Sequence, residues 1–309
     1  MRKLIFATLF ALAVCGCKKE NPYIDPPPPV PATTANHVAF IWSDDVYYMS
    51  DIRGNATRIT TNGTTKKMLR MSHDRTRFAY LNASNVIEVV DNTGTLLYSL
   101  PQFTSVNDFN WSANDSTLYI LSGNQIQYYG PSMGLPSISF PNVPITATKW
   151  VVSLSVSSEN DLAYVITYQD FSGFGSLVVI KPHDGSPTLT RDLNDPFLET
   201  SYVRFSTHGT DMIVGYKQVV GGNPNLIRLE TFTGLSTTPI RSLQSSQEYC
   251  SPVYRSDLNL ITTGYKGSSS SSSLVLAALD LSASSLDEGN AVVLNNYAAG
   301  AGNMWVDWK

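Results

Sequence analysis

The sequence predicts an all-β fold, a ring of six similar four-stranded units closed by the chain's own C-terminal strand. Three observations carry this reading. First, apolar strand-like runs recur after serine-containing turns, starting at Val38, Phe78, Leu118, Leu162, Met212 and Leu260, so that successive starts lie 40 to 50 residues apart. A repeat of that length fits a four-stranded blade. Second, aromatic residues make up 11% of the 309 residues and charged residues only 15%, a balance that suits pleated, half-buried positions. Third, the two ends are complementary. The first unit opens on His37-Val38-Ala39-Phe40-Ile41 with no inner strand before it, and the chain finishes on Asn303 to Lys309 (NMWVDWK), an inner strand with nothing after it. Placing the second beside the first completes the unit and removes the edge that an open array leaves exposed. Residues 37–309 therefore read as a six-bladed β-propeller closed by the C-terminal strand. An evenly stranded two-sheet sandwich is the competing arrangement, but it gives no reason for the complementary ends.

Residues 1–16 precede this repeat as a signal peptide. Arg2 and Lys3 lead into an apolar run from Leu4 to Val14, too short for the ~20 helical residues that cross a bilayer and suited to a secretory leader. Val14-Cys15-Gly16-Cys17 resembles the lipobox of bacterial lipoproteins, with Gly16 at the small position and Cys17 as the residue that is lipidated. Cys15 stands where that pattern usually has Ala or Ser, which keeps Cys15 as an alternative, and an ordinary cleaved leader is the other reading. Cleavage before Cys17 removes Arg2 and Lys3 and takes the net charge from −4 to −6. Only Cys17 and Cys250 then remain, which excludes a disulfide framework in a compartment that would permit one. Residues 17–36 contain four consecutive prolines, Pro26 to Pro29, and Pro31. This stretch reads as a stiff polyproline tether; a Pro-rich ligand segment is the alternative.

Within each repeat the order is constant. An inner strand ends on a serine or polar turn, as in MLRMS to Ser72, DFNWS to Ser112, SLSVS to Ser157 and YVRFS to Ser206; a second and third strand follow; a glycine turn at Gly54, Gly94, Gly185 or Gly234 leads to a short fourth strand. Trp111-Ser112-Ala113-Asn114-Asp115 and Ser72-His73-Asp74 resemble the W-S-P-D-G step of TolB-like and WD-type β-propeller repeats, in degenerate copies that lack the full Pro-Asp-Gly. The likeness covers nearly all of 37–309, without the α/β domain that TolB carries at its N-terminus. Leader, tether and repeat together resemble a bacterial envelope lipoprotein of Bacteroidetes type.

Aligning the six inner strands gives a polar row, Arg70, Asn110, Ser155, Arg204, Pro252 and Asp307, and two residues earlier Met68, Asp108, Ser153, Tyr202, Cys250 and Trp305. Period-two alternation places the intervening apolar residues on the other face. Arg70, Asp108, Asn110, Tyr202, Arg204, Trp305 and Asp307 are the candidate ligand-binding set at the ring axis: the arginines and aspartates for an anionic or polyhydroxylated ligand, the aromatics for stacking on a sugar. The other reading is that these charges pair with one another around a watery axis and bind nothing.

No catalytic constellation emerges. The four histidines, His37, His73, His183 and His208, lack metal-ligand spacing, and no G-x-S-x-G elbow is present. Ser72-His73-Asp74 reads as a hydrogen-bonded turn rather than a triad. Asp44-Asp45 reads as a solvated hairpin turn, Asn62-Gly63 as a turn between units, Ser268 to Ser273 as a hairpin tip and Cys250 as a small buried residue. No metal or other cofactor is expected. The acidic balance argues against nucleic acid. The expected partners are the membrane, through the N-terminal lipid of a monomer, and a protein or glycan. The function expected is a non-enzymatic binding scaffold anchored in the cell envelope at the outer membrane, periplasmic or surface-exposed. A polysaccharide lyase or hydrolase with its site at the axis is the alternative, and a purely structural envelope component the third possibility.

Overall fold

The structure, a computed structural model, describes residues 37–50, 54–123, 125–129, 137–139, 149–157, 160–170, 173–181, 188–193, 198–205, 211–218, 227–232, 241–245, 249–255, 260–266, 274–280, 291–297 and 305–309. The leader, the tether with Cys17, Gly185, Gly234, His183, His208 and the Ser268–Ser273 run lie outside them.

Among the described residues every regular element is a strand. The first sheet holds β1 (Val38–Trp42), β2 (Asp45–Met49) and β3 (Thr57–Arg58); the second β4 (Lys66–Met71), β5 (Arg77–Asn82), β6 (Ile87–Asp91) and β7 (Leu96–Ser99). The third comprises β8 (Asp108–Trp111), β9 (Leu118–Ser122), β10 (Gln125–Tyr129) and β11 (Ser137–Ser139). The fourth comprises β12 (Lys149–Val156), β13 (Leu162–Asp170), β14 (Gly173–Lys181) and β15 (Thr188–Leu193). The fifth runs through β16 (Leu198–Phe205), β17 (Met212–Gln218), β18 (Ile227–Phe232) and β19 (Arg241–Ser245), and the sixth through β20 (Tyr249–Arg255), β21 (Leu260–Lys266), β22 (Leu274–Asp280) and β23 (Ala291–Tyr297). Each is an antiparallel meander. The last strand, β24 (Val306–Trp308), joins the first sheet, giving the order β24-β1-β2-β3. Its register is Val38 opposite Trp308, Ala39 opposite Asp307 and Phe40 opposite Val306.

The apolar runs of the sequence become second strands that are buried on both faces, as in β5 (Phe78 to Leu81) and β9 (Leu118 to Leu121). That double burial explains why they read as continuous apolar runs. The outer strands of the first two sheets are exposed, β3 at both residues and β7 at Leu96, Leu97 and Ser99. Apolar clusters lie between successive sheets. Ile41 and Val46 pack with Leu69, Met71 and Phe78; Leu81 and Val89 pack with Phe109, Trp111 and Ile120; Leu121 packs with Leu154 and Tyr164; Val165 and Val178 pack with Val203 and Phe205. A further cluster joins Val253 of the sixth sheet to Val38, Phe40, Val306 and Trp308 of the first.

Two features depart from the sequence reading. Asp45 is 1% exposed rather than solvated. It opens β2 and accepts hydrogen bonds from Arg58, from the Thr60 hydroxyl at 2.8 Å and from the buried Lys66 ammonium at 3.4 Å. A turn-like Asp-Asp pair hides this because its partners lie 13 to 21 residues further along. In addition, β4, β12, β16 and β20 each carry a bulge, between Lys67 and Arg70, Val151 and Ser153, Thr200 and Tyr202, and Cys250 and Val253. A bulge resets which residues share a face, so a strict two-residue alternation misaligns the rows.

Candidate functional site

An inner strand has no neighbour on its free side, and its outward amides need partners. The polar row supplies them from one sheet to the next. Asp307 on β24 accepts the Met71 N–H of β4 at 2.8 Å. Arg70 on β4 donates from Nε to the Phe109 carbonyl of β8 at 3.0 Å, from Nη1 to the Leu69 carbonyl at 2.8 Å and from Nη2 to Asp108 at 2.5 Å. Asp108 accepts the Leu154 N–H of β12 at 3.0 Å and the Ser153 hydroxyl at 3.3 Å. Ser153 and Ser155 then accept the N–H groups of Val203 and Phe205 on β16, at 3.2 and 2.9 Å. This relay of short side chains stitches five inner strands in series.

A second relay links the turns. The residue three positions after the turn serine, Arg75, Asp115 or Asn160, has a positive φ of 64°, 55° or 66°, which turns its side chain towards the preceding unit. Asp115 accepts the N–H groups of His73 and Asp74, both at 2.8 Å, and pairs with His73 Nδ1 at 2.8 Å; Asn160 accepts the Ala113 N–H at 2.8 Å. Burial pushes the Asp115 carboxyl up, but the three bonds and the nearby imidazole outweigh it and hold it below the usual carboxylate range. Arg75 reaches His37 Nε2 at 3.0 Å. A guanidinium only donates, so Nε2 accepts and the His37 proton sits on Nδ1, donated to the Tyr48 oxygen at 2.6 Å. Burial, reinforced by Arg75, holds the His37 imidazole below its ordinary value. In the same turns Ser72 accepts the Arg77 N–H at 3.0 Å and donates to Asp74 at 2.6 Å, the hydrogen-bonded turn that the sequence suggests.

One cavity is lined by residues of all six sheets: His73, just after β4; Asn110 on β8; Ser155 on β12; Arg204 on β16; Val253 on β20; and Asp307, Trp308 and Lys309 at β24. Its volume is about 30 Å³, room for about two water molecules. Arg204 is 6% exposed. It donates from Nη1 to the Leu154 carbonyl at 3.4 Å, while its buried Nε has no hydrogen-bond partner among the described residues. Burial, with Arg70 adding to it, pushes the Arg204 guanidinium down to about 10 against the opposing pull of Asp108 and Asp307. Burial also lowers the Lys309 ammonium, which Asp307 only partly restores.

Of the seven residues singled out in the sequence, Asn110, Arg204 and Asp307 meet at this cavity. Arg70 and Asp108 lie beside it as a buried pair, 1% and 5% exposed. Tyr202 is half-buried against Gly215, where an added Cβ would lie 2.2 Å from the tyrosine ring. Trp305 is half-buried against the cluster between the first two sheets, its backbone carbonyl accepting the Ile41 N–H at 2.9 Å. His73 and Lys309 line the cavity from outside the aligned rows, and Val156, Phe205, Val253 and Trp308 line it from the apolar row that was expected on the other face. Their sequence signal is position, since each lies within two residues of the end of an inner-strand motif. Val253 lines the cavity in register with Val156, Phe205 and Trp308, while Pro252, which the alignment placed in the polar row, does not line it.

Repeated four-stranded antiparallel sheets with inner strands meeting at one cavity define the chain as a β-propeller. TolB from Acinetobacter baumannii is similar in structure, with a TM-score of 0.62 and 10% identity over 88% of this chain and 66% of that one. The chain thus spans just under two thirds of the TolB length. Hsv2 from Kluyveromyces lactis aligns with a TM-score of 0.49 and 13% identity, over 79% of this chain and 70% of that one. No protein family matches the sequence, and no curated protein does. The likeness to TolB is one of fold.

Proposed function

We propose that the protein is an envelope lipoprotein, acylated at Cys17, whose residues 37–309 form a closed six-bladed ring that binds a partner macromolecule at one end of its axis. The observation that carries this is the order of parts: a short apolar leader, Cys17 after a small residue, a proline-rich spacer, then a TolB-like propeller. Ring closure is supported by β24 pairing with β1 and by a cavity lined from six sheets. A protein partner fits better than a glycan, because the cavity is far smaller than the ~300 Å³ or more of a pocket that engulfs a small-molecule ligand. The carboxylates that a lyase or hydrolase would use at the axis, Asp108 and Asp307, hold inner-strand amides instead.

The test has two arms. Cells expressing the full chain are fed an alkynyl fatty acid and fractionated; label and membrane retention on the wild type, both lost in Cys17→Ala, support anchoring at that residue. Label that survives Cys17→Ala, or an unlabelled soluble wild type, refutes it. Crosslinked pull-down and a glycan array on the purified protein then decide the partner. Capture by neither, together with turnover of a polysaccharide, overturns the scaffold reading.

A further inference from the structure

We infer that the axial cavity is a binding site for one small monovalent anion, of chloride or single-carboxylate size, held by Arg204 and Lys309. This inference rests on the ring described above, and it concerns an ion bound by the chain alone, whatever partner it binds.

Arg204 and Trp308 both line the cavity, are 6% and 3% exposed, and carry a buried N–H, Nε and Nε1, with no acceptor among the described residues. A buried donor without a partner costs about 1–3 kcal/mol, and more on a charged group. Two on residues that line one cavity mark a place where an acceptor is missing.

Charge points the same way. Arg70, the neighbouring guanidinium, is matched by Asp108 at 2.5 Å. Arg204 and Lys309 have no carboxylate at salt-bridge distance among the described residues. Asp307 is the lining carboxylate, and one of its oxygens already accepts the Met71 N–H. Arg204 therefore has no carboxylate in contact, and its Nε meets no acceptor among the described residues. Burial, the larger cause in each, lowers both cations, against the opposing pull of the nearby aspartates.

Size selects the ligand. About 30 Å³ accommodates one halide or the head of one carboxylate, and excludes a sugar ring or a polyanion. Burial in a low-dielectric site favours such an ion only with a countercharge within contact, which Arg204 supplies.

The test uses the purified full chain exchanged into sodium gluconate, whose anion is too large to enter. Titration with sodium chloride, and separately with sodium formate, at constant ionic strength is followed by thermal unfolding. A saturable rise in midpoint for both small anions, absent with added gluconate, is expected, and Arg204→Met should weaken the apparent affinity at least tenfold. If Arg204→Met does not fold, Lys309→Met and a bromide-soaked crystal replace it, with an anomalous peak expected within contact of Arg204. Equal responses to chloride and gluconate, an unchanged affinity in the folded variant, or a bromide-soaked crystal with no peak in the cavity would overturn the inference. Partner capture that is insensitive to chloride would leave the scaffold reading standing while this one is judged on the titration alone.

Discussion

Asp108 is the most connected residue of the inner-strand relay, and its replacement by asparagine isolates what the relay contributes. In Asp108→Asn the shape is kept, and one oxygen remains for the Leu154 N–H, but Arg70, 1% exposed, loses its countercharge. Removing one member of a buried ion pair costs about 3–5 kcal/mol. At roughly 2–4 °C per kcal/mol for a domain of this size, the midpoint should fall by on the order of 10 °C. Arg70→Met is milder, about 2–3 kcal/mol, because Asp108 keeps the donors of Leu154, Ser153 and Phe109 while the Phe109 carbonyl is orphaned. The double variant has neither the stranded guanidinium nor the stranded charge, so the pair should show a favourable coupling of about 2–3 kcal/mol. Urea unfolding followed by tryptophan fluorescence reads this interface, since Trp111 donates to the Arg70 carbonyl at 3.1 Å. Costs that add to within ~0.5 kcal/mol would refute the relay as a coupled unit.

Asp45 and Asp115 have carboxyls held below their ordinary range; their contribution is present above about pH 4 and lost as pH falls through the lowered values, so Asp115→Asn should flatten the acid limb of a stability–pH curve, and an unchanged limb would contradict this. Gly94 has φ +82° and an added Cβ would lie 2.1 Å from the Ile59 carbonyl, whereas Gly63, at φ +60°, has open space. Gly94→Ala should therefore cost more than the ~1–2 kcal/mol of left-handed strain expected for Gly63→Ala, measured by urea midpoint, and equal costs would count against the close approach. Lys66 donates to the Asp44 carbonyl at 2.7 Å, Asn62 at 2.6 Å and the Thr64 carbonyl at 2.8 Å, so Lys66→Met should cost about 3–5 kcal/mol in calorimetry; a loss under ~1 kcal/mol would show the cage to be dispensable.

The repeat and the fit of the chain ends were legible because each unit buries the same apolar run, Phe78 to Leu81 in one and Leu118 to Leu121 in another, on both faces. Val38 and Trp308 advertised their pairing because an inner strand was missing at one end and left over at the other. The site was legible only in part. Arg70 and Asp108 were found as polar residues in apolar strands, but their partnership spans 38 positions and no local pattern encodes it. The apolar row was expected away from the axis, yet Val156, Phe205, Val253 and Trp308 of that row line the cavity. Asp45 was misread because a turn and a buried ion cage share the same Asp-Asp signature.

Closure of the ring by the C-terminal strand is the central claim, and a disulfide across β1 and β24 tests it most directly. His37 and Lys309 exchange both backbone hydrogen bonds, at 3.1 and 3.0 Å, so the next pair, Val38 and Trp308, is a non-hydrogen-bonded one, with Cα atoms about 4.5 Å apart and within disulfide reach. In the full chain at high dilution, Val38→Cys with Trp308→Cys should oxidise to an intrachain bond that mass spectrometry finds between the two peptides. Free thiols at these two positions, or only interchain dimers, would contradict it.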